Sequence, residues 1–261
     1  MPLLGGWLRR RSARALAKDG SPQAVRALAE AVVRSDDDRV KAIALAAVSG
    51  PMKAGGVDEV CAVWAATRNA DLAALLTTRE WVANDPADVK VLSALLTGYV
   101  QGVVRSRETV VPPLVAACLD EDPKIAARAR LVIGKLSNAK ARAALADQLC
   151  AQWATTRSPL LEEIVTEGRY VASPPPAVRS LSALKTGQRQ LLADGGAEVV
   201  EPLLQACEDR DAGIAGQAQL ALRQLKNVEA KPGQSATGRA RGFALRRRAR
   251  FSLDRTDLRG G

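Results

Sequence analysis

The sequence predicts an all-α protein made by internal duplication, and three observations carry that reading. Residues 61–98 return as residues 150–187, every position shifted by 89 without a gap and 18 of 38 positions identical. The same register continues through residues 110–138 against 199–227. Hydrophobic residues make up 47% of the chain, mostly Ala, Leu and Val, while aromatics reach only 3%. Ala and Leu are strong helix formers, and the aromatic signature of β-sheets is missing. Finally, apolar residues recur at helical spacing, as in Val25, Leu28, Ala29, Val32 and Val33. Helix pairs of this kind cannot shield an apolar face alone. The expected architecture is therefore an α-solenoid of stacked antiparallel helix pairs.

Residues 1–20 read as a basic N-terminal helix, residues 21–228 as the repeat array with repeats at about 21–56, 57–138 and 139–227, and residues 229–261 as an Arg-rich linker and tail. The first helix sets Leu4, Trp7, Leu8, Ala15 and Leu16 toward one side and Arg10, Arg14 and Lys18 toward another. Two readings fit it: a cap that closes the first repeat, or a helix lying at a membrane interface. Ser21 is placed to cap the next helix, with Pro22 at its first position. The run Ser35-Asp36-Asp37-Asp38 stops that helix near Val33 and caps a following one, from Arg39 to about Val48. An Asp at a helix start accepts hydrogen bonds from unpaired backbone N–H groups and meets the positive end of the dipole, so these carboxylates read as caps and not as a metal or acid–base cluster.

The 89-residue repeat begins with a helix near residues 57–66 that carries Trp64 and ends at Thr67-Arg68. A shorter helix through Leu72, Leu75 and Leu76 is expected to reach Trp81. Asn84-Asp85-Pro86 is then expected to supply the cap and first turn of a helix that stops at Gly98. In the second copy Pro174-Pro175-Pro176 stands where that cap stands, which makes the prolines a helix start and not a ligand for a Pro-binding domain.

The most specific recurrence is Trp64 with Arg68 and Trp153 with Arg157. Residues i and i+4 share a helix face, so each guanidinium can stack over its indole or reach a carboxylate on a neighbouring helix. Recurrence in both copies favours packing between repeats over ligand binding. Cys61, Cys118, Cys150 and Cys207 form two repeat-equivalent pairs in apolar windows, as small core side chains do. No CxxC and no histidine occurs anywhere, so neither a structural zinc site nor a cofactor is expected.

Residues 114–136 carry a resemblance. There an apolar helix ends at Asp120-Glu121-Asp122-Pro123 and a second runs through Ile125, Ala126, Ala129, Leu131, Val132 and Leu136. This pair resembles a HEAT repeat, and Asp122 and Arg128 lie at the spacing of the Asp–Arg ladder in that family. The ladder is incomplete, because Gln217 replaces the Arg in the second copy. The longer pattern W-A-x-T-R followed by V-x-x-L-S-A-L-x-T-G looks like HEAT-like modules of bacterial multidomain proteins linked to signalling or defence. The resemblance spans about residues 22–227 and implies an armadillo-like scaffold that binds other proteins. It transfers no catalytic residue: HEAT-like DNA glycosylases and lyases also exist, but the groove clusters on which the DNA enzymes rely have no counterpart here.

Net charge divides unevenly. The +10 of the whole chain comes from the ends: residues 1–18 hold five basic residues and no acid, and residues 231–261 hold nine basic and two acidic residues. A nearly neutral repeat body argues against a basic nucleic-acid groove. The tail, with Arg246, Arg247, Arg248 and Arg250, reads either as a disordered extension or as an arm for nucleic acid or an acidic protein. Tyr99, Gln101, Arg105 and Arg107 lie in residues 97–108, where the two copies diverge most, and divergence on a repeated scaffold places partner contacts there. With no secretory signal and no apolar run of spanning length, a reducing cytoplasm without stable membrane insertion is the expected setting.

Overall fold

Short polar residues at helix starts decide where this chain turns. Ser21 Oγ accepts the Ala24 N–H at 3.2 Å, Asp37 accepts those of Arg39 and Val40, Asn69 those of Asp71 and Leu72, and Asn138 those of Lys140 and Ala141. Each satisfies donors that the helix itself leaves open, a contribution of about 1 kcal/mol per cap. The computed structural model of the protein describes residues 2–52, 55–192 and 195–225. Among the described residues the regular elements are fourteen α-helices and three short 3-10 helices. The tail residues Arg246, Arg247, Arg248 and Arg250 lie outside the described residues.

The chain divides into two units, Met1–Gly168 and Arg169–Gly261. The first holds α1 (Pro2–Asp19), α2 (Pro22–Arg34), α3 (Asp38–Val48), α4 (Gly56–Thr67), α5 (Ala70–Arg79), α6 (Ala87–Thr97), α7 (Gln101–Val104), a 3-10 turn at Glu108–Val110, α8 (Val111–Ala117), α9 (Pro123–Ile133), α10 (Ala139–Thr156) and α11 (Pro159–Glu167). Within it α2 packs on α4, α4 on α6, α6 on α8 and α8 on α10. The helices between them pack beside this row, α3 on α2, α5 on α6, α9 on α6 and α8, and α11 on α10. The core so formed is aliphatic: Leu28, Leu72, Leu76, Leu95, Leu114, Leu145 and Leu149 are fully buried, each stabilising the fold by about 1.5–3 kcal/mol relative to exposure.

The second unit holds α12 (Pro176–Lys185), 3-10 turns at Arg189–Leu192 and Gly196–Val199, α13 (Val200–Ala206) and α14 (Ala212–Gln224). All three helices pack against one another. Asp211 caps α14 by accepting the N–H groups of Gly213 and Ile214.

Two expectations need correction. The helix α5 ends at Arg79 and not at Trp81, because Glu80 takes the left-handed conformation with φ +56°. Asn84 and Asp85 do not cap α6: the N-cap is Pro86, which has no side-chain acceptor, and the Asn84 N–H is instead held by Asp58 Oδ1 at 2.7 Å. One length difference between the copies also has a local cause. Helix α4 starts at Gly56 after Gly55 turns the chain at φ +84°, whereas the matching residues Ala144 and Leu145 continue one long α10.

Candidate interaction groove

The end of α4 builds the groove. Thr67 Oγ1 donates to the Val63 carbonyl at 2.8 Å, and the Arg68 N–H closes the helix on the Trp64 carbonyl at 2.7 Å while Arg68 itself turns to φ +54°. This conformation is unusual for a residue with a Cβ. It brings the guanidinium back over the Trp64 ring, 5.2 Å from the centroid, and onto Asp120 Oδ2 at 2.7 Å. Both capabilities expected of the i,i+4 pair are therefore used at once.

Asp120 is itself fixed. Its Oδ1 accepts the Asp122 N–H at 2.9 Å, and Asp122 in turn caps α9 through the Lys124 N–H at 2.8 Å. Arg128 points away from this turn. Its guanidinium donates to the Leu95 carbonyl at 2.6 Å and to that of Leu96, closing the C-terminus of α6. Helix ends leave both kinds of group open, so the acid goes to the N–H groups of its own helix and the cation to the carbonyls of a neighbour.

Together these contacts frame a groove of about 540 Å³ in the first unit, with Trp64, Leu96 and Ile125 on its apolar side and Arg68, Asp120, Glu121 and Asp122 on its polar side. Three carboxylates face one guanidinium there, so the rim is acidic on balance. Glu121 is exposed.

Tyr99, Gln101, Arg105 and Arg107 are all exposed, and none of them lines this groove. The Tyr99 hydroxyl donates to the Glu80 carboxylate, which holds the phenol above its ordinary pKa. Sequence reasoning missed Asp120, Glu121, Leu96 and Ile125 as neighbours of Trp64. A signal for Asp120 was available: it returns as Asp209 in the copy, just as Arg68 returns as Arg157.

The local geometry at Trp64 returns at Trp153. Arg157 has φ +52°, closes α10 on the Trp153 carbonyl at 2.7 Å and lies 5.1 Å from the ring centroid. Left-handed residues also recur at Glu80 and Arg169 and at Gly98 and Gly187, and cis peptides precede Pro86 and Pro175. Ser93 Oγ, fully buried, accepts the Ala83 N–H at 3.1 Å and donates to the Val89 carbonyl at 2.7 Å. Ser182 does the same with Ala172 at 3.2 Å and Val178 at 2.8 Å.

Cys61, Cys118 and Cys150 are buried and Cys207 is partly so. Burial pushes the thiols of Cys61 and Cys118 up to about 12, which keeps them protonated and poor nucleophiles. Among the described residues no group of His, Cys, Asp and Glu is arranged to hold a metal ion, and no helix is long and apolar enough to cross a membrane. Compared with family models, curated proteins and solved structures, the chain finds no match.

Proposed function

We propose that this chain is a non-catalytic scaffold for protein–protein interaction, built on a duplicated HEAT-like α-solenoid and serving in an assembly of the bacterial signalling or defence type. The observation that carries the reading is the recurrence, at a spacing of 89 residues, of an Arg held at positive φ over a Trp at the end of a helix. Strained backbone kept twice at equivalent positions supports a common origin for the two copies and a shared role in the joints of a repeat array. The row of helices α2, α4, α6, α8 and α10, each packed on the next, supports the solenoid. The displaced pKa values of Asp211, which moves downward, and of Tyr99, Cys61 and Cys118, which move upward, lie farther from neutrality than the ordinary ones, which suits binding better than proton transfer.

The groove at Trp64 would take a segment that sets a basic side chain beside an apolar one, the first against Glu121 and Asp122 and the second against Leu96 and Ile125. Exposed Glu121 is the residue to change. Affinity capture with the full chain and with Glu121→Lys, read by mass spectrometry, should show a protein partner held by the first and lost by the second. An identical partner set from both chains refutes the assignment of the groove. A second reading rests on the nine basic residues of residues 231–261: binding of nucleic acid by the tail. Nuclease-sensitive capture that disappears in a chain ending at Asn227 favours it over the scaffold.

A further inference from the structure

The helix α1 carries two kinds of surface. Ala13 is buried where α1 packs against α2 and α3, and Arg10 reaches Asp37 at 4.0 Å on the same side. At 100° per residue Leu8, Arg11, Ala15 and Lys18 point away from Ala13, with Trp7 and Arg14 on the flank beside them next to Arg10, and all six are exposed. Trp7 is 52% and Leu8 55% exposed, large values for such side chains on a helix that also contributes to a core. Arg11 lies over the Trp7 ring at 5.4 Å. Beside this face runs an apolar groove of about 470 Å³ between α1 and α2, floored by Leu16, Leu28 and Val40 and edged by Leu8. The acids nearby are engaged: Glu30 with Arg26 and Arg34, and Asp19, at the far end of the helix, with the Ser21 hydroxyl.

We infer that the outward face of α1 docks on an anionic lipid bilayer, with Trp7 and Leu8 in the headgroup layer and Arg11, Arg14 and Lys18 on the lipid phosphates. The commitment to a bilayer follows from charge and apolar area occurring together. Three outward cations complement an anionic surface, and an indole prefers the boundary between water and acyl chains. A nucleic-acid backbone would use the cations and leave Trp7, Leu8 and the groove beside them uncovered. The helix lies on the surface and does not span it.

The test uses the full chain with vesicles of phosphatidylcholine alone and of phosphatidylcholine with phosphatidylserine, measured by co-flotation, with duplex DNA and RNA titrated in parallel. Wild-type protein should float with the anionic vesicles only. The variant R11Q/R14Q/K18Q, whose changes are all on the exposed face, should lose about fivefold in partitioning per residue, on the order of a hundredfold in all. Trp7→Ser should lose roughly tenfold at unchanged charge. Circular dichroism checks that the helix content of both variants equals that of the wild type. Because the variants leave residues 231–261 intact, unchanged flotation of the triple variant assigns the binding elsewhere and overturns the inference. So does equal flotation with neutral vesicles, the absence of flotation, or nucleic-acid binding that the triple variant loses while vesicles are ignored.

Discussion

The pairs α6 with α9 and α12 with α14 occupy equivalent places in the two copies, yet the C-terminus of the first helix is held differently in each. In the first copy Arg128 crosses from α9 and donates to the carbonyls of Leu95 and Leu96 at the end of α6. In the second copy that Arg is Gln217, whose side-chain carbonyl accepts from Arg189 at 2.8 Å. The cation comes instead from α12 itself, where Lys185, in place of Leu96, reaches Asp211 at 2.7 Å. Tyr99 with Glu80 and Gln188 with the Arg169 carbonyl repeat the lesson in a smaller contact. A joint of fixed backbone can be closed from either helix, so side chains that look unrelated can serve one purpose.

If the joints are equivalent, removing their common core should cost the same in both copies. Trp64→Ala and Trp153→Ala, at 2% and 1% exposure, should each lose about 3–5 kcal/mol in urea unfolding. A loss at one site only would show that the stacked Trp–Arg pair supports one copy and decorates the other.

The next effect in size separates a used hydroxyl from an idle one. Ser93→Ala and Ser182→Ala each strand a buried backbone N–H, so each should cost about 1–3 kcal/mol. Ser180 is also fully buried, but its hydroxyl has no partner, and the matching residue in the first copy is Val91. Ser180→Ala should therefore leave the denaturation midpoint unchanged or raise it, while Val91→Ser lowers it.

A third comparison exchanges the ties. Arg128→Met removes charge-assisted hydrogen bonds to two carbonyls and should cost about 1.5–3 kcal/mol. In the second copy Lys185→Leu should cost less, about 0.5–1 kcal/mol, because the ion pair with Asp211 is partly exposed. Adding Gln217→Arg to Lys185→Leu recreates the arrangement of the first copy, and the double variant should recover what the single one lost. Additive losses would show that the carbonyls of α12 are out of reach from position 217.

Much of this was legible before any coordinates. Ser21, Asp37, Asp122 and Asp211 cap the helices they precede because capping is a local matter of one side chain and the next three N–H groups. The i,i+4 spacing singled out the two Trp–Arg pairs and left stacking and a carboxylate contact open for each guanidinium. What escaped depends on distant chain or on backbone without a composition signal. Arg68 and Glu80 take the conformation that glycine marks elsewhere, and neither residue type announces it. Spacing put Arg128 and Asp122 at ladder positions without naming a partner for Arg128, whose acceptors sit 32 and 33 residues away, on a helix end that only the packing brings alongside. The groove partners of Trp64 were hidden for the same reason, although Asp120, unchanged as Asp209, could have been found by asking which acid recurs with Arg68.

The smallest expected effect distinguishes the two ties by pH. Lys185 is the first cause of the depressed pKa of Asp211, followed by the N–H groups of Ile214 and Gly213, with partial burial opposing them. A carboxyl whose folded pKa lies below its unfolded value of 3.8 contributes stability that is complete above that value and disappears as pH falls through the lower, folded one. The difference in unfolding free energy between wild type and Lys185→Met should thus be constant from neutrality down to about that pH, then shrink toward zero as Asp211 protonates. Arg128 donates to carbonyls, which do not titrate. The difference between wild type and Arg128→Met should consequently hold its value across the same acid range. Equal acid sensitivity in the two variants would mean that a carboxylate, and not the end of α6, is what Arg128 serves.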